Sequence, residues 1–291
     1  MENLGYYNGE TGPIEEMKVP MDDRSSWFGD GVYDATISAD HIVYALEEHV
    51  DRFFNSMALL KIEPDFTQKE LAALLSSLVK KVDSPVQMVY WQVTRGTAPR
   101  AHAFPQGARP NLWIFLRPWK TADPARGQKL VTVEDTRFFH CNIKTLNLIP
   151  NVLAAEDARK AGCDEAVFHR SGRVTECSRS NVHILKDGVF RTAPADSLIL
   201  AGIGRAHIMA LCGKLGVPVD ETPFSVQEMM AADEVLITSS GVFCLAATHV
   251  NGMPVGGRAP ALVGRLRDAL IGELWDYIAA RGGAARRGGP P

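Results

Sequence analysis

The 291-residue chain is short of several things that would place it in a specialised class. Its five cysteines, Cys141, Cys163, Cys177, Cys212 and Cys244, are odd in number, widely spaced and without a Cys-x-x-Cys pair. That argues against a disulfide framework and a cysteine zinc site. Reduced thiols in a cytoplasmic protein are expected, with no metal site. No apolar run approaches the ~18 residues of a membrane span. The opening MENLGYYNGETGPIEE is polar and acidic, so no secretory leader is expected. Neither charge dominates: 31 Lys and Arg face 34 Asp and Glu, a net charge of -3. A near-neutral chain therefore has no strong electrostatic case for nucleic acid or an anionic membrane surface, and neither partner is expected. An anion, if bound, must be held by a few placed groups.

What is present is an ordinary apolar fraction, 46% of residues, enough for a sizeable core. A prior of about one domain per 150 residues suggests two domains. Segments 34–40 and 41–46 read as short strands. The apolar positions Val50, Phe53, Phe54, Met57 and Leu60 predict a helix over 47–62. Thr67 with Glu70 forms a capping box for a second helix through 71–81. Strands follow at 85–95 and 111–117. The Pro-, Gly- and charge-rich stretch 118–127 then breaks the pattern and is expected to link a smaller domain, 1–117, to a larger one, 128–280. In the larger part, 129–135, 164–170, 180–186 and 233–240 read as strands, with 217–223 as an edge strand. Helices are expected at 148–162, 204–216, 225–232 and 260–280. Gly162 is a plausible helix stop, 171–179 a polar turn, and 281–291 a disordered tail. Without a regular βαβ rhythm, the expected fold is α+β or mixed α/β, not a Rossmann domain.

Several residues carry possible chemistry, and each also has a plain structural reading. Lys144 lies between Ile143 and Leu146. Desolvated, its amine would be a nucleophile able to form a Schiff base; otherwise it is a surface lysine at a helix start. Glu176, 32 residues later, either pairs with a cationic nitrogen or caps a turn. Gly202 and Gly204 precede a helix whose N-terminal amides suit phosphate, or they simply start that helix. Thr238, Ser239 and Ser240, before Gly241, offer hydroxyls to an anion or an ordinary turn. Arg100 and His102, two apart in a run that also holds Arg95, would share a face of an extended chain and could clamp a carboxylate. A solvated basic loop is the alternative. Tyr33, beside two glycines, offers a phenol or fills a half-buried position.

Order and joint spacing say more than any one motif. FGDGVYD, EEHVDRF, VTRGTAPRAH, CNIKTLNLIPNVLA, VTECSRSNVHILKDG, LAGIGR and VLITSS, in that order, resemble the fold-type IV pyridoxal-phosphate enzymes over roughly residues 4–255. RGTAPRAH points to their D-amino acid aminotransferase branch. The resemblance implies a two-domain enzyme that transaminates between a D-amino acid such as D-alanine and a 2-oxo acid such as 2-oxoglutarate, with ping-pong kinetics. It implies that Lys144 holds pyridoxal 5′-phosphate and shuttles the proton, and that Glu176 pairs with the pyridine nitrogen. Arg52, the amides of Ile203 and Gly204, and Ser239 and Ser240 would hold the phosphate. Tyr33 would line the site near the phenolic oxygen. Arg100 and His102 would take the substrate carboxylate from the neighbouring subunit, so a homodimer is expected. A carboxylate on that side of the pocket favours the D enantiomer, because the proton arrives from the lysine's face. The alternatives within the fold are a branched-chain L-aminotransferase, an (R)-amine transaminase and aminodeoxychorismate lyase; outside it, a scaffold without activity. Three stretches depart from the family pattern. Cys177, Ser178, Arg179 and Ser180 replace Gly-Ser-Ser-Ser, Gly204 stands for a Thr, and Ser240-Gly241 for Thr-Thr.

Overall fold

Alternation along the third to sixth strands decides which side chains meet a helix and which meet a cavity. In the computed structural model, which describes residues 1–121, 123–241 and 243–282, the chain begins with β1 (Leu4–Tyr7), β2 (Glu10–Gly12) and the short α1 (Arg24–Phe28). β3 (Gly31–Ala39), β4 (Ile42–Val43), α2 (Leu46–Leu59), α3 (Gln68–Leu78), β5 (Val86–Thr94) and β6 (Asn111–Pro118) follow. The strands form a six-stranded antiparallel sheet in the order β2-β1-β6-β5-β3-β4. One face carries Val32, Val89, Trp91, Val93, Ile114 and Leu116 against Val50, Phe53 and Met57 of α2 and Leu71, Leu75 and Leu78 of α3. Period two sends Tyr33, Met88 and Tyr90 to the other face.

The second part holds β7 (Gln128–Glu134), α4 (Ile149–Lys160), β8 (Glu165–Arg170), β9 (Arg173–Cys177), β10 (Asn181–Lys186) and β11 (Val189–Thr192). It continues with α5 (Ile203–Lys214), β12 (Val219–Asp220), α6 (Val226–Ala231), β13 (Glu234–Ser239), β14 (Phe243–Val250), β15 (Met253–Pro254) and α7 (Pro260–Ala280). The nine-stranded sheet runs β12-β11-β10-β13-β14-β7-β8-β9, with β15 on β14. Three pairs are parallel (β11/β12, β14/β7 and β7/β8) and the rest antiparallel. This mixed sheet is α+β rather than Rossmann-like. Ile37, Tyr44 and Ala45 of the first part share a core with α5, α7, β13 and β14, which joins the two sheets.

Most expected elements are present, including the Thr67–Glu70 capping box. Three readings change. The stretch 171–179 is not one polar turn: Ser171 and Gly172 alone take positive φ and make the turn. Val174 and its neighbours then pair with β8 as β9, so Glu176 lies on a buried strand. Segment 41–46 forms strand only at Ile42–Val43, because Ala45 adopts a left-handed conformation and α2 starts immediately after it. β1, β2, α1, β11, β14 and β15 add to the expected elements. Arg281 and Gly282 form a turn after α7, with the Arg281 guanidinium 3.6 Å from the Tyr277 ring centroid; the rest of the expected tail, 283–291, lies outside the described residues.

The loop after β7 is laid along the start of β3. Tyr33 N–H donates to the Lys144 carbonyl at 2.9 Å and Leu146 N–H to the Gly31 carbonyl at 3.0 Å. Glycine is needed at 31: a Cβ there would lie 2.4 Å from the Val93 carbonyl oxygen and 2.8 Å from Leu146 Cδ1. Gly31→Ala should therefore cost about 1–3 kcal/mol of stability by overpacking. It should also displace the Lys144 loop. Urea unfolding and a crystal structure of the variant test this; an unshifted midpoint with an unmoved loop would remove Gly31 from the account.

Candidate active site

A cavity of about 390 Å³ opens where the two sheets meet. Tyr33 and Met88 face it from the first sheet and Lys144 from its loop. Glu176 enters from β9, Ile203 and Gly204 from the first turn of α5, and Ser239 and Ser240 from the end of β13. One wall thus holds an amine, another a carboxylate, and the far end a helix N-terminus with hydroxyls.

Lys144 is half-buried, and its Nζ stands 4.3 Å from the centroid of the Tyr33 ring. Its backbone is fixed on both sides, since its N–H donates to Ser56 Oγ of α2 at 3.2 Å and its carbonyl accepts from Tyr33. The Tyr33 ring stacks on Tyr90 at 5.4 Å, and Tyr90 on Phe115 at 4.8 Å. Burial pushes the Tyr90 phenol up. That aromatic column keeps the wall beside the lysine apolar.

Glu176 is 6% exposed. One carboxylate oxygen accepts from Arg137, the other from Leu200 N–H at 2.9 Å and Asn181 Nδ2 at 3.2 Å. Burial pushes the Glu176 carboxyl above its ordinary value, while the Arg137 charge and these hydrogen bonds pull it back part of the way. Arg137 is itself held by both oxygens of Asp135, at 2.9 and 2.8 Å, and lies over the Phe168 ring at 4.4 Å. Asn181 fits only because residue 202 is glycine, where a Cβ would come within 2.1 Å of its Oδ1. Gly202 caps α5 without a side-chain bond and is required here for space. Sequence reasoning missed Asp135, Arg137 and Asn181. Asp135 reads only as the end of the strand 129–135 and Arg137 falls in no expected element, and nothing local shows that the fold buries their charges together.

At the other end, Arg52 grips Asp34 through two nitrogens, at 2.9 and 2.7 Å, and its third donates to the Ala201 carbonyl at 3.3 Å. Asp34 is wholly buried and also accepts from His49 Nδ1 at 2.8 Å. Arg52 and His49 hold its carboxyl far below the usual range, against a large burial cost. His49 Nε2 lies 3.1 Å from Ser240 Oγ. Gly204 brings the first turn of α5 close to β13: a Cβ would sit 3.3 Å from the Ser239 carbonyl carbon. A cationic arginine, helix N-terminal amides and two serines form a cup suited to a phosphate. Asp34 and His49 were also missed. Asp34 follows Tyr33, and alternation turns it to the opposite face, under α2. Thr238 is not part of the cup, because its hydroxyl bonds His183 Nε2 at 2.8 Å.

Arg100 and His102 do not reach this cavity in their own chain. They sit exposed on a bent loop, not a strand, and both lie against Phe28, at 5.2 and 5.1 Å. Arg95 is a buried brace, bonded to Asp30 and to the Leu60 and Lys61 carbonyls. Arg179 lines the cavity rim with 72% of its side chain exposed. Its amide donates to Glu165 Oε1 at 2.9 Å and its guanidinium to the Asp164 carbonyl at 3.2 Å.

The family model of amino-transferase class IV matches residues 31–250. The chain belongs to this family. It is 37% identical over 266 residues to a D-alanine aminotransferase of Listeria monocytogenes serotype 4b (strain F2365), a match covering 89% of this chain and 92% of that one. It is 35% identical over 256 residues to that of Bacillus licheniformis, covering 87% and 90%. Among solved structures, the Escherichia coli branched-chain amino acid aminotransferase superposes with a TM-score of 0.86 at 23% identity, covering 94% and 95%. A branched-chain amino acid aminotransferase from T.th., solved with pyridoxamine 5′-phosphate, gives 0.87 at 23%, covering 93% of each. These two establish the fold, fold-type IV.

In this class IV aminotransferase the Arg137–Glu176 pair is buried, so removing one partner strands a charge. Arg137→Met should lower stability by about 3–5 kcal/mol at pH 8. A carboxyl raised by the fold costs stability above its folded value and nothing below its unfolded one. The deficit should therefore shrink from pH 8 to pH 5, as read from urea midpoints. Equal deficits at both pH values would show that Glu176 is not the stranded charge.

Proposed function

We propose that this aminotransferase uses pyridoxal 5′-phosphate to move an amino group between a D-amino acid, such as D-alanine, and a 2-oxo acid, such as 2-oxoglutarate, with ping-pong kinetics. The carrying observation is that one cavity gathers an amine, a buried carboxylate and a phosphate-type cup in a chain similar to D-alanine aminotransferases over most of its length. The residues fit the cofactor. Arg52, the Ile203 and Gly204 amides, Ser239 and Ser240 would hold its phosphate, Glu176 would hold a proton on its ring nitrogen, and Lys144 would hold it covalently. Bound there, it supplies an aldehyde that takes the amino group and a cationic ring that stores an electron pair. Lys144 Nζ would then carry the proton to and from the substrate Cα. The Tyr33 ring, its centroid 4.3 Å from Lys144 Nζ, would shield the amine on one side. Arg137 would keep Glu176 ionised against its burial.

The site is completed by a second copy in this reading. Arg100 and His102 stand outside their own cavity. Near its rim, Phe138 and Phe139 are exposed, as are Ile149, Val152 and Leu153 at the start of α4. Burying that face in a homodimer would bring the partner's guanidinium and imidazole to the substrate carboxylate. We divide the chain at 118–127, since β6 ends at Pro118, at the first residue of that segment, and β7 of the second sheet begins at Gln128, just after it. A cytoplasmic setting is supported by five free cysteines.

Lys144→Ala should abolish the protonated Schiff-base absorption and slow transamination by at least ~10²–10⁴-fold, the usual worth of a general base. In a half-reaction, D-alanine and not L-alanine should convert the bound cofactor to pyridoxamine phosphate; conversion by L-alanine alone overturns the chirality. Arg100→Ala should raise KM for the D-amino acid about 10–100-fold, as for a lost charged hydrogen bond. Its cofactor spectrum should not change. An equal loss of cofactor would remove Arg100 from the carboxylate site.

A further inference from the structure

His49 connects two parts of the phosphate-type cup, and its bonding leaves it a single consistent protonation state when the cup is empty. The Asp34 carboxylate, 2.8 Å from Nδ1, can only accept, so the imidazole's one proton sits on Nδ1. Arg52 also approaches Nδ1, at 3.3 Å, but its nitrogen donates to the same Asp34 oxygen at 2.7 Å. Nε2 is then a bare acceptor, and the hydroxyl 3.1 Å away on Ser240 must point its proton at it. In that arrangement Ser240 offers the cavity only lone pairs, which repel a phosphate oxygen. The charged groups around His49 are Asp34 on β3, Arg52 and Glu48 on α2, and Lys144 on its loop; Trp91 of β5 presents only its ring. Burial and the nearby cations keep the free imidazole neutral.

We propose that His49 takes up a proton at Nε2 when a phosphate group enters the cup, and that this turns Ser240 from a donor toward the imidazole into a donor toward the phosphate. The proton comes from solvent, and Nε2–H is the only bond formed. Nε2–H then donates to Ser240 Oγ, which frees the hydroxyl proton for the ligand. Without phosphate, Asp34 and Arg52 cancel and His49 adds nothing. A phosphate dianion adds two negative charges, and the imidazolium offsets one of them. His49 is thus a positioning residue, acting on the ligand through Ser240. The proposal rests on the reading that this cup takes the cofactor's phosphate.

The sign of the linkage follows. The bound state holds the proton more tightly than the free state, so affinity is greatest at low pH and is lost as pH rises through the bound-state value. The second ionisation of a phosphate lies near pH 6, so the ligand stays dianionic from pH 7 to 9. The probe is pyridoxamine 5′-phosphate, which has no aldehyde and forms no bond to Lys144, titrated into the full-length apoprotein. Calorimetry in two buffers of different ionisation enthalpy should show proton uptake in the wild type that exceeds uptake in His49→Gln. The glutamine amide can donate to Ser240 without titrating. Wild-type affinity should tighten as pH falls from 9 to 7, by up to about tenfold per unit, with a flatter slope in the variant. In wild-type protein carrying ¹⁵N-histidine, which needs no variant, the His49 Nε2 resonance should move from the bare to the protonated position on binding. Equal uptake in both proteins, or a bare Nε2 in the complex, overturns the proposal. If pyridoxamine 5′-phosphate fails to bind while pyridoxamine or nothing binds, the cofactor reading itself falls and takes this with it.

Discussion

A carboxylate taken out of water must be compensated or it protonates, and this molecule is organised around two of them. Asp34 is compensated twice over, by the bidentate Arg52 and by His49, and stays ionised. Those bonds fix α2 on β3 and point the arginine's remaining nitrogen at the mouth of α5. Glu176 is compensated less completely: Arg137 and two further donors oppose its burial, and the carboxyl remains above its ordinary value. One site is a fully paired ion cluster; the other keeps a burial cost that a cationic ligand nitrogen would help to offset. The net charge of -3 conceals both.

How much of this can be read from the chain depends on whether the cause is local. Helices with strong periodicity and a capping box, such as α3, are legible because their signals lie within one or two turns. Motif order picks out Lys144, Glu176, Arg52 and the cup residues, and the fold brings them to one cavity. The run around Glu176 nonetheless reads as a turn, since its short polar residues hide the alternation of β9. Asp135, Arg137, Asn181, Asp34 and His49 escape such a reading. Their importance comes from which distant charge each one faces, and no local pattern carries that information.

The departures from the family pattern also acquire reasons. At position 204 a side chain would press on the backbone of Ser239, so glycine exchanges a hydroxyl for a closer approach of helix to strand. Arg179 brings a charge to the rim, but its guanidinium rests on the Asp164 carbonyl and near Glu165 and does not point into the cavity floor. Glu165 is nearly enclosed, and its carboxyl is raised by that burial; the amide and charge of Arg179 act against the rise. The replacement of a small residue by arginine at 179 therefore falls beside an acid that gains from a nearby cation.

The loop that carries Arg100 and His102 is stiff at its base, and this bears on chirality. Asp30 is shared by Arg24 and Arg95, at 2.7 and 2.9 Å. Arg24 reaches on to the carbonyls of Ala101 and Ala103, and Arg95 to those of Leu60 and Lys61. Gly96 turns the chain at a φ of +108°, where a Cβ would lie 2.1 Å from the Arg109 carbonyl oxygen. Phe28 packs beneath both Arg100 and His102. A carboxylate clamp selects one enantiomer only if its position is held while the substrate enters. If Arg100 and His102 form the proposed clamp, the ion pairs at the loop's root would supply that constraint. In the proposed dimer, then, the rigidity that would fix handedness comes from one subunit, and the amine that would move the proton comes from the other.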